Sequence, residues 1–453
     1  MTDIASHAAA AAVSADATFA PMSKGMVRRI IFSSSVGNAL EWFDFSVYGY
    51  FAGIIAKQFF PMHDEWLSTL LAIATFGISF LMRPIGAVVL GVYGDRKGRK
   101  AALTLAITLM MAGTLTMAVM PPYAMIGLAA PVLILVARLV QGFAVGGEFG
   151  SATAFMVEHS PTKRGYYASW QFASQGLAAI LAAAFGSMLT AWMSPEHLGS
   201  WGWRIPFLFG VLIGPIGYYI RSHLDETPEF LAMRRQRDDP TDPTDPAASF
   251  GSQWVNLLLA TGIVAQSTVG VYVLQLYMPM YAVKQLHMPA AVSFGAVVLN
   301  GGLQLILSPV MGAWSDRIGR IRIMLGTSIL MGLLIYPMFA LLQSYPTVGW
   351  LLLLQGTSGI LKAAYSGPMP ALMSEIFPTH VRSTGLSIAY SIGVTIFGGF
   401  SPTIVETFIH LTGDKLAPSY YVLIAALLSG LSLVIVAWRR RHPGRGEALL
   451  YPS

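Results

Sequence analysis

The chain has 453 residues, of which 55% are hydrophobic and only 11% are charged. Soluble globular domains carry roughly a quarter charged residues, so this composition, with a mean hydropathy of +0.60, excludes an ordinary soluble fold and indicates a polytopic membrane protein. Cysteine is absent, which excludes disulfide and thiol chemistry.

The N-terminal segment precedes the first apolar run. Its first 23 residues are rich in Ala, Ser and Asp and contain no Lys or Arg before Lys24. A secretory signal needs a basic start and a leucine-type core, and this segment has neither. We therefore predict that residues 1–28 form a disordered cytoplasmic tail.

Twelve mainly apolar runs follow, and each approaches the 20 or so residues that a helix needs to cross a bilayer. They are numbered spans one to twelve and cover approximately residues 29–55, 65–90, 101–120, 129–156, 165–192, 204–222, 251–282, 290–311, 323–342, 347–376, 383–410 and 419–437. The predicted fold is an all-α polytopic membrane protein with twelve transmembrane helices.

Basic residues predict the orientation of these spans. With the N-terminus in the cytoplasm, alternate loops hold 21 of the 28 Lys and Arg residues. The opposite loops hold only Lys57, Lys284 and Lys415, with Arg204 at the start of span six. This asymmetry predicts a multi-pass protein of the cell inner membrane with both termini cytoplasmic. It also explains the net charge of +6 and the pI near 9.4 without a nucleic-acid partner.

The polar segment 223–250, which contains RRQRDDPTDPTDP, divides the chain into two six-helix halves. The halves are residues 29–222 and 251–437, the segment between them is a predicted cytoplasmic loop, and residues 438–453 form a second cytoplasmic tail. The halves resemble each other: GVYGDRKGRK (91–100) matches GAWSDRIGRI (312–321), and VEHSPTKRG (157–165) matches SEIFPTHVR (374–382). Two motif pairs at nearly one offset indicate a duplicated unit, which transporters use to alternate access around a central site.

The repeated loops have the chemistry of a gate at the cytoplasmic mouth. Their glycines permit close approach of helix ends, their Asp is placed to cap the next helix, and their Arg residues can pair with the acid that ends span four or span ten. The alternative is a plain basic loop. The predicted gate residues are Gly91, Asp95, Arg96, Gly98, Arg99, Glu158 and Arg164 in the first half, and Gly312, Asp316, Arg317, Gly319, Arg320, Glu375 and Arg382 in the second.

These features carry a family resemblance. The twelve spans, the repeated GxxxDRxGR and the stretch RLVQGFAVG (138–146) resemble the major facilitator superfamily. More narrowly, GNALEWFDFSVYGY, FLMRPIGA, RLVQGFAVGGEFG, WGWRIPF, LDETPEF and EIFPTHVRSTG resemble the metabolite–proton symporter family, over about residues 30–437. The resemblance implies uptake of citrate, other di- and tricarboxylates, 2-oxoglutarate, shikimate, proline or betaine together with protons.

Within that family, two stretches look closest to the citrate branch. They are YASWQFASQ (167–175) and IFGGFSPTIVETFIHLTGDK (396–415). Some osmosensory proline/betaine members carry a long heptad-patterned C-terminal tail, whereas only about 15 residues without heptads follow span twelve here.

Few ionisable residues fall inside the spans, and such residues are functional candidates by default. They are Glu41, Asp44, Arg83, Arg138, Glu148, Lys362 and Glu406, and no histidine lies in the middle of a span. Any proton coupling is therefore assigned to carboxylates. Glu41, Asp44 and Tyr48 share one helix face, which we expect to point to the central cavity. We predict proton coupling by Asp44 or Glu41, with Asp44 favoured because it lies deeper; the alternative is a structural pair with an arginine.

Arg138 fits either of two roles. Its permanent charge can grip a substrate carboxylate or pair with Asp44 and release it on protonation. It is therefore predicted as both a proton-coupling and a substrate-binding residue. Arg83, near the cytoplasmic end of span two, is expected to snorkel or to support the gate.

Lys362 adds a cation in the middle of span ten that the family motifs do not require. We predict that it binds an anionic substrate, together with Tyr365, and that Gly359, Gly367, Pro368 and Pro370 break this helix; the alternative is a snorkelling lysine. Asn38, Tyr48, Gln171 and Gln175 complete the predicted substrate site, although the glutamines fit interhelical hydrogen bonding almost as well.

The sequence thus predicts a proton-coupled symporter that imports a small organic anion, most consistently citrate or a related di- or tricarboxylate. The alternatives are a symporter for a zwitterion such as proline or betaine and, less consistently, a drug-efflux antiporter. No Ser/His/Asp set, metal cluster or phosphate loop is visible in the sequence, so an enzyme is not expected. The predicted partners are a small carboxylate and the lipid bilayer. We expect the functional unit to be a monomer, without metal or cofactor other than the coupling protons.

Overall fold

The computed structural model describes residues 24–97, 99–158, 163–222, 253–378 and 382–442. The predicted central loop lies outside the described residues, as do residues 1–23 of the predicted N-terminal tail and residues 443–453 of the predicted C-terminal tail. Every described segment is mainly helical, as expected where lipid leaves backbone groups no partner other than their own helix.

The first half contains six helical passages that match spans one to six. Their helices are Lys24–Tyr50 and Ala52–Phe59 in span one, Glu65–Ser79 and Met82–Lys97 in span two, Arg99–Val119 in span three, Ala129–Val145 and Glu148–Glu158 in span four, Arg164–Ala168 and Trp170–Trp192 in span five, and Ile205–Ser222 in span six. Among the described residues, the connections hold only short helices, at Tyr123–Ile126, Pro195–Ser200 and Gly202–Arg204.

The second half repeats this pattern. Its helices are Trp254–Val271, Tyr272–Tyr277 and Met278–Leu286 in span seven, Ala290–Ile318 in span eight, Arg320–Ser344 in span nine, Val348–Ser366 and Met369–Ile376 in span ten, Arg382–Val394, Thr395–Gly399 and Ser401–Thr412 in span eleven, and Ala417–Arg441 in span twelve. All twelve predicted runs are helical, which confirms the all-α fold. Eight helical segments of the described chain are long and apolar enough to cross a membrane by themselves, and the others are shorter or more polar.

Glycines allow spans five and eight to approach closely and so join the halves. A Cβ on Gly165 would lie 2.3 Å from the carbonyl oxygen of Gly312, and one on Gly176 would lie 2.7 Å from that of Gly301. No real side chain fits at such distances, so these positions require glycine. Small residues have the same function in many packed membrane helices.

Span ten is interrupted where the sequence predicted it, but not at every predicted residue. The helix ends at Ser366 and resumes at Met369, around Gly367 and Pro368. Gly359 does not break the helix, which corrects the prediction; a Cβ there would lie 3.2 Å from the Cα of Asn300, so this glycine serves the packing of spans eight and ten.

Spans seven and eleven each contain a segment of π-helix that the sequence did not predict. These segments are Tyr272–Tyr277 and Thr395–Gly399. A π-helical turn inside an α-helix is rare and is often found at a functional site. Both segments lie near the middle of their spans.

The halves are in contact at both ends of the molecule. At one end, the Lys284 ammonium donates to the hydroxyl of Thr69 at 3.1 Å, and the rings of Trp66 and His410 stack with centroids 3.9 Å apart. At the other end, the backbone of Gly165 donates to Asp316 at 2.9 Å. Two cavities between the halves hold only about 10 Å³ each, roughly the space of one water. Because the halves are in contact at both ends, the arrangement of the described residues is closed.

Candidate transport site

Asp44 lies at the centre of a buried network inside the first half. One carboxylate oxygen accepts from the hydroxyl of Thr114 at 2.8 Å. The other accepts from Arg138 at 3.1 Å and from the amide of Gln141 at 3.0 Å. Spans one, three and four are thus joined by a carboxylate and a guanidinium that water does not reach. A buried ion pair of this kind is strongly destabilised when only one partner is removed.

Arg138 is held by the same network and by an aromatic ring. Its guanidinium carbon lies 3.8 Å from the ring centre of Tyr48, and one of its amino groups donates to Gln141 at 2.8 Å. Two of its nitrogens, Nε and Nη2, have no hydrogen-bond partner. Of the two roles predicted for Arg138, the contacts of this closed arrangement favour the pairing with Asp44.

Glu41 belongs to a different pair from Asp44. It lies 3.7 Å from Arg83 of span two, and both side chains are buried. Arg83 is only 2% exposed, which corrects the expectation that it snorkels. The physical reason is the break in span two at Phe80 and Leu81, after which a new helix turns Arg83 inward.

The predicted common face of span one is therefore divided among neighbouring helices. Glu41 meets span two, Asp44 meets spans three and four, and the hydroxyl of Tyr48 donates to the carbonyl of Ala72 in span two. Spacing along one helix predicts a shared face but does not distinguish a central cavity from helices of the same half.

Lys362 is the buried cation of the second half. Its ammonium donates to the amide oxygen of Gln275 in span seven at 2.8 Å and to that of Asn300 in span eight at 2.6 Å. The side chain is 2% exposed, so the alternative of a snorkelling lysine is wrong. Among the described residues, no carboxylate lies within ion-pair distance of this ammonium.

Hydrogen bonds with neighbouring helices orient Asn300, one of the two side chains that accept from Lys362. The amide nitrogen of Asn300 donates to the side-chain oxygen of Gln355 at 2.9 Å and to the hydroxyl of Ser358 at 3.0 Å, which leaves its oxygen for the lysine. Gln355 in turn donates to the carbonyl of Leu274, inside the π-helix of span seven, at 2.9 Å. The ammonium is thus preorganised by neutral oxygens.

The other predicted substrate residues have mixed surroundings. Asn38 donates to the carbonyl of Gln171 and the hydroxyl of Ser174, both at 2.7 Å, and so joins spans one and five. The hydroxyl of Tyr365 donates to the carbonyl of Ile263. The side-chain amide of Gln175 is buried and makes no hydrogen bond of ordinary geometry, although the hydroxyl of Tyr390 lies near it. These contacts favour helix packing for Asn38 and Tyr365, whereas Gln175 keeps free hydrogen-bonding capacity.

The repeated loop of the second half, which was predicted to form a gate, contacts the first half. Asp316 accepts from the backbone nitrogens of Gly165 and Tyr166 at 2.9 and 3.2 Å. It therefore caps the start of span five rather than the helix that follows it, which corrects the prediction. The reason is that the glycine contact of spans five and eight brings that helix end within reach.

Arginines of the same loop follow the predicted pairing. Arg320 binds both Asp316, at 2.8 Å, and Glu375, and Arg440 also binds Glu375, at 2.9 Å. Gly319 has a φ of +101°, which suits the sharp turn between spans eight and nine.

The remaining gate residues are less informative. Arg382 donates from Nε to the carbonyl of Ser374 at 2.9 Å, Arg317 is exposed, and Arg164 begins its helix. In the first half, Gly91 lies within the helix Met82–Lys97, while Gly98 and the side chains of Asp95, Arg96, Arg99 and Glu158 lie outside the part of the chain that the structure describes.

We expect Asp316→Asn to lower the maximal transport rate about 2- to 30-fold while changing the Kd of the substrate less than about threefold. An amide keeps the size of the side chain but has one acceptor oxygen instead of two and no charge to pair with Arg320. The lost hydrogen bond and the lost ion pair together come to about 0.5–2 kcal/mol. Initial rates in proteoliposomes and equilibrium binding to the purified protein measure the two effects.

The matched control for this gate residue is Asp414→Asn. Asp414 accepts from the backbone nitrogen of Leu416 at 2.9 Å, in the turn just before the helix Ala417–Arg441, and so stabilises a turn within one half. Its loss should lower stability without slowing the exchange between the two sides. If Asp316→Asn greatly lowered the affinity for the substrate and left the maximal transport rate unchanged, Asp316 would not be a gate residue.

Sequence reasoning missed the neutral partners of the charged residues. Thr114 and Gln141 hold Asp44, and Gln275 and Asn300 hold Lys362. These four side chains carry no charge, so the search for ionisable residues inside the spans did not identify them. Amides in the middle of apolar runs were the available signal, because lipid tolerates an unpaired amide as poorly as it tolerates other polar groups.

Comparison with known proteins places this arrangement in a family. A model described as Sugar (and other) transporter matches residues 30–243, and one described as Major Facilitator Superfamily matches residues 295–450. Among curated relatives, a citrate–proton symporter of Salmonella typhi is 38% identical over 409 residues, which is 90% of this chain and 93% of the relative. A proline/betaine transporter of Salmonella typhimurium is 35% identical over 422 residues, covering 90% and 84%.

Solved structures show the same fold at low sequence identity. The E. coli xylose transporter XylE in a partially occluded inward-open conformation superposes with a TM-score of 0.72 at 16% identity, over 92% of this chain and 98% of that one. A crystal structure of a D-xylose–proton symporter gives 0.70 at 17% identity, over 89% and 97%. With relatives above 30% identity over nearly its whole length, this chain belongs to the metabolite–proton symporter family of the major facilitator superfamily, a family of membrane transporters and not of enzymes.

Proposed function

We propose that the protein imports a small organic anion together with protons by alternating access, and that the anion is citrate or a related di- or tricarboxylate. The proposal places both termini in the cytoplasm of a cell with the protein in its inner membrane, and it takes the monomer as the functional unit. Protons are the coupling ion.

One observation supports an anionic substrate. The ammonium of Lys362 is buried with only neutral oxygens around it, those of Gln275 and Asn300. Removing a cation from water is strongly unfavourable unless an opposite charge or hydrogen bonds compensate, and here only hydrogen bonds do. A substrate carboxylate supplies the missing charge.

The second candidate, a zwitterion such as proline or betaine, has support from the similarity to proline/betaine transporters and from the aromatic lining of the interface. Trp42, Phe45, Tyr50 and Tyr272 line one of the small cavities between the halves, and aromatic faces attract quaternary ammonium groups. The buried Lys362 opposes a cationic ligand. A drug-efflux antiporter fits less well, because its substrates favour an apolar cavity without cations.

Asp44 supplies the proton site in this proposal, with Glu41 as the alternative. Protonation neutralises the carboxylate and removes its attraction for Arg138, so the ion pair between spans one and four opens. Since a permanently charged guanidinium cannot lose its proton, the carboxylate is the member of the pair that titrates.

We expect uptake in proteoliposomes to depend on an inward proton gradient. Labelled citrate, tricarballylate, 2-oxoglutarate, succinate, shikimate, proline and betaine are compared with and without an imposed gradient. Each pH unit of gradient supports about tenfold accumulation per coupled proton. A protonophore should therefore reduce accumulation of the transported compound to equilibration.

Protein-free liposomes carrying the same gradient are the control for this assay. Initial rates and accumulation that do not respond to the protonophore would overturn the symport proposal. If proline or betaine accumulates and none of the carboxylates does, the proposed substrate would change from an organic anion to a zwitterion.

A further inference from the structure

Arg83 is a buried cation that the transport site described above does not use. Its guanidinium carbon lies 4.4 Å from the ring centre of Phe80 and 5.0 Å from that of Phe45. Nε and Nη2 have no hydrogen-bond partner although the side chain is only 2% exposed. Leaving buried donors unsatisfied is unfavourable, so this guanidinium has unused capacity for an anion.

Glu41 neutralises Arg83 only loosely. The closest approach, from Oε1 to Nη2, is 3.7 Å, which is longer than a hydrogen bond. Arginine and a carboxylate usually form a shorter, bidentate pair when nothing prevents it. The planar fork of this arginine is therefore not occupied by the carboxylate of Glu41.

The surroundings of Arg83 lead to the other half of the molecule. The ring of Tyr272 in span seven packs on Trp42 at 5.8 Å and on Phe80 at 5.4 Å, and its buried hydroxyl has no hydrogen-bond partner. Gln275, on the next turn of the same π-helix, binds Lys362. Arg83 is thus connected to the interface between the halves through Trp42 and Phe80, which pack on Tyr272, and Lys362 is connected to it through Gln275.

We infer that Arg83 is a second anion-binding residue of the transport site and that it binds one carboxylate of a substrate whose other carboxylate is bound by Lys362. The unpartnered hydroxyl of Tyr272 is placed to donate to the same ligand. This inference rests on the proposed function and narrows it to substrates with at least two carboxylates. Each half then contributes one positive charge, so closure around the substrate requires both halves.

Glu41 is the ion-pair partner that a substrate carboxylate would meet at Arg83. A carboxylate that binds Arg83 in the bidentate manner competes with Glu41 for the same cation. Removing Glu41 should therefore strengthen binding of a polycarboxylate, whereas removing Arg83 should weaken it. A purely structural ion pair predicts the opposite pattern, since loss of either partner would then be equally harmful and loss of both would be compensating.

The test measures binding of citrate, succinate and propionate to the purified full-length protein by titration calorimetry. Arg83→Gln should weaken citrate and succinate about 10- to 100-fold and propionate less than about threefold, because a monocarboxylate needs only Lys362. Glu41→Gln should tighten citrate about three- to tenfold. The double variant should remain as weak as Arg83→Gln, and Arg83→Lys should restore part of the loss.

Arg204→Gln is the matched control for loss of an aromatic-packed arginine. Arg204 lies 4.4 Å from the ring centre of Trp203 and donates to the carbonyls of Met120 and Ser200, away from the interface of the halves. Its binding constants should equal those of the wild type. Thermal unfolding of each variant identifies loss of the fold, and Arg83→Lys provides the test if Arg83→Gln does not fold.

Different results separate this inference from the proposed function. If Lys362→Gln weakens citrate while Arg83→Gln and Arg83→Lys do not, only the inference on Arg83 is overturned. Equal weakening in Arg83→Gln and Glu41→Gln with recovery in the double variant overturns it as well. If the wild type binds no carboxylate at all, the proposed function and this inference fail together.

Discussion

Asp44→Asn is expected to abolish accumulation driven by a proton gradient while counterflow exchange of substrate stays measurable. The amide fits the network: its oxygen can accept from Arg138 and Gln141, and its amino group can donate to the hydroxyl of Thr114, which also bonds the carbonyl of Met110. Shape and packing are therefore kept, but the proton site is lost. Counterflow needs only binding and reorientation, so it should survive.

Two further measurements make this result interpretable. The uncompensated charge of Arg138 lowers stability, by about 3–5 kcal/mol for a broken buried pair, so thermal unfolding must show that the variant is folded. Thr114→Val removes one hydrogen bond to Asp44 but keeps the acid, and it should retain accumulation. Normal accumulation by Asp44→Asn would exclude Asp44 and direct attention to Glu41, whose Glu41→Gln variant is assayed in parallel.

The sequence predicted the helices well because bilayer thickness and backbone hydrogen bonding leave little choice. All twelve apolar runs are helical, and the break of span ten falls at Gly367 and Pro368. The π-helices of spans seven and eleven were not predicted, since their sequences, YVLQLY and TIFGG, carry no local signal that separates them from ordinary helix.

Residue type alone selected the candidate site residues, but their partners were predicted less well. Asp44, Arg138 and Lys362 were selected because an ionisable residue inside a membrane span is a functional candidate by default, and all three are buried. Which helix each side chain faces depends on the rotation of that helix against its neighbours. Sequence spacing does not contain that information, so Arg83 was expected to snorkel or to support the gate, and Asp316 was expected to cap the helix that follows it.

The repeated loops show which contacts a sequence motif can predict and which it cannot. The repeat of GxxxDRxGR, with an acid at the end of span four and of span ten, predicted arginine–acid pairs, and Arg320 does pair with Glu375. The bond from Asp316 to the start of span five exists only because Gly165 and Gly312 let spans five and eight approach. Such contacts between distant segments arise from packing, and the sequence motif contains only one of the partners.

Lys362→Gln is expected to weaken binding of a tricarboxylate by about one to two orders of magnitude. The ammonium is oriented by Gln275 and Asn300, and a hydrogen bond to a charged group contributes about 1.5–3 kcal/mol, with each 1.4 kcal/mol equal to a factor of ten. The loss should increase with the charge of the substrate. Equilibrium binding of tri-, di- and monocarboxylates to the purified wild type and variant measures it.

Two variants separate substrate binding by Lys362 from a structural role. Lys362→Arg should restore binding only in part, because a guanidinium is larger and planar and presents its hydrogen-bond donors in a different geometry from an ammonium. Lys415→Gln is the matched control, since Lys415 also donates a hydrogen bond, to the carbonyl of Gln285, but lies in the loop between spans eleven and twelve. Small, equal losses for all three substrate charges in Lys362→Gln would mean that the ammonium only holds Gln275 and Asn300 together. The proposal of an anionic substrate would then lose its strongest support, and a zwitterion such as proline or betaine would become the better candidate for the substrate.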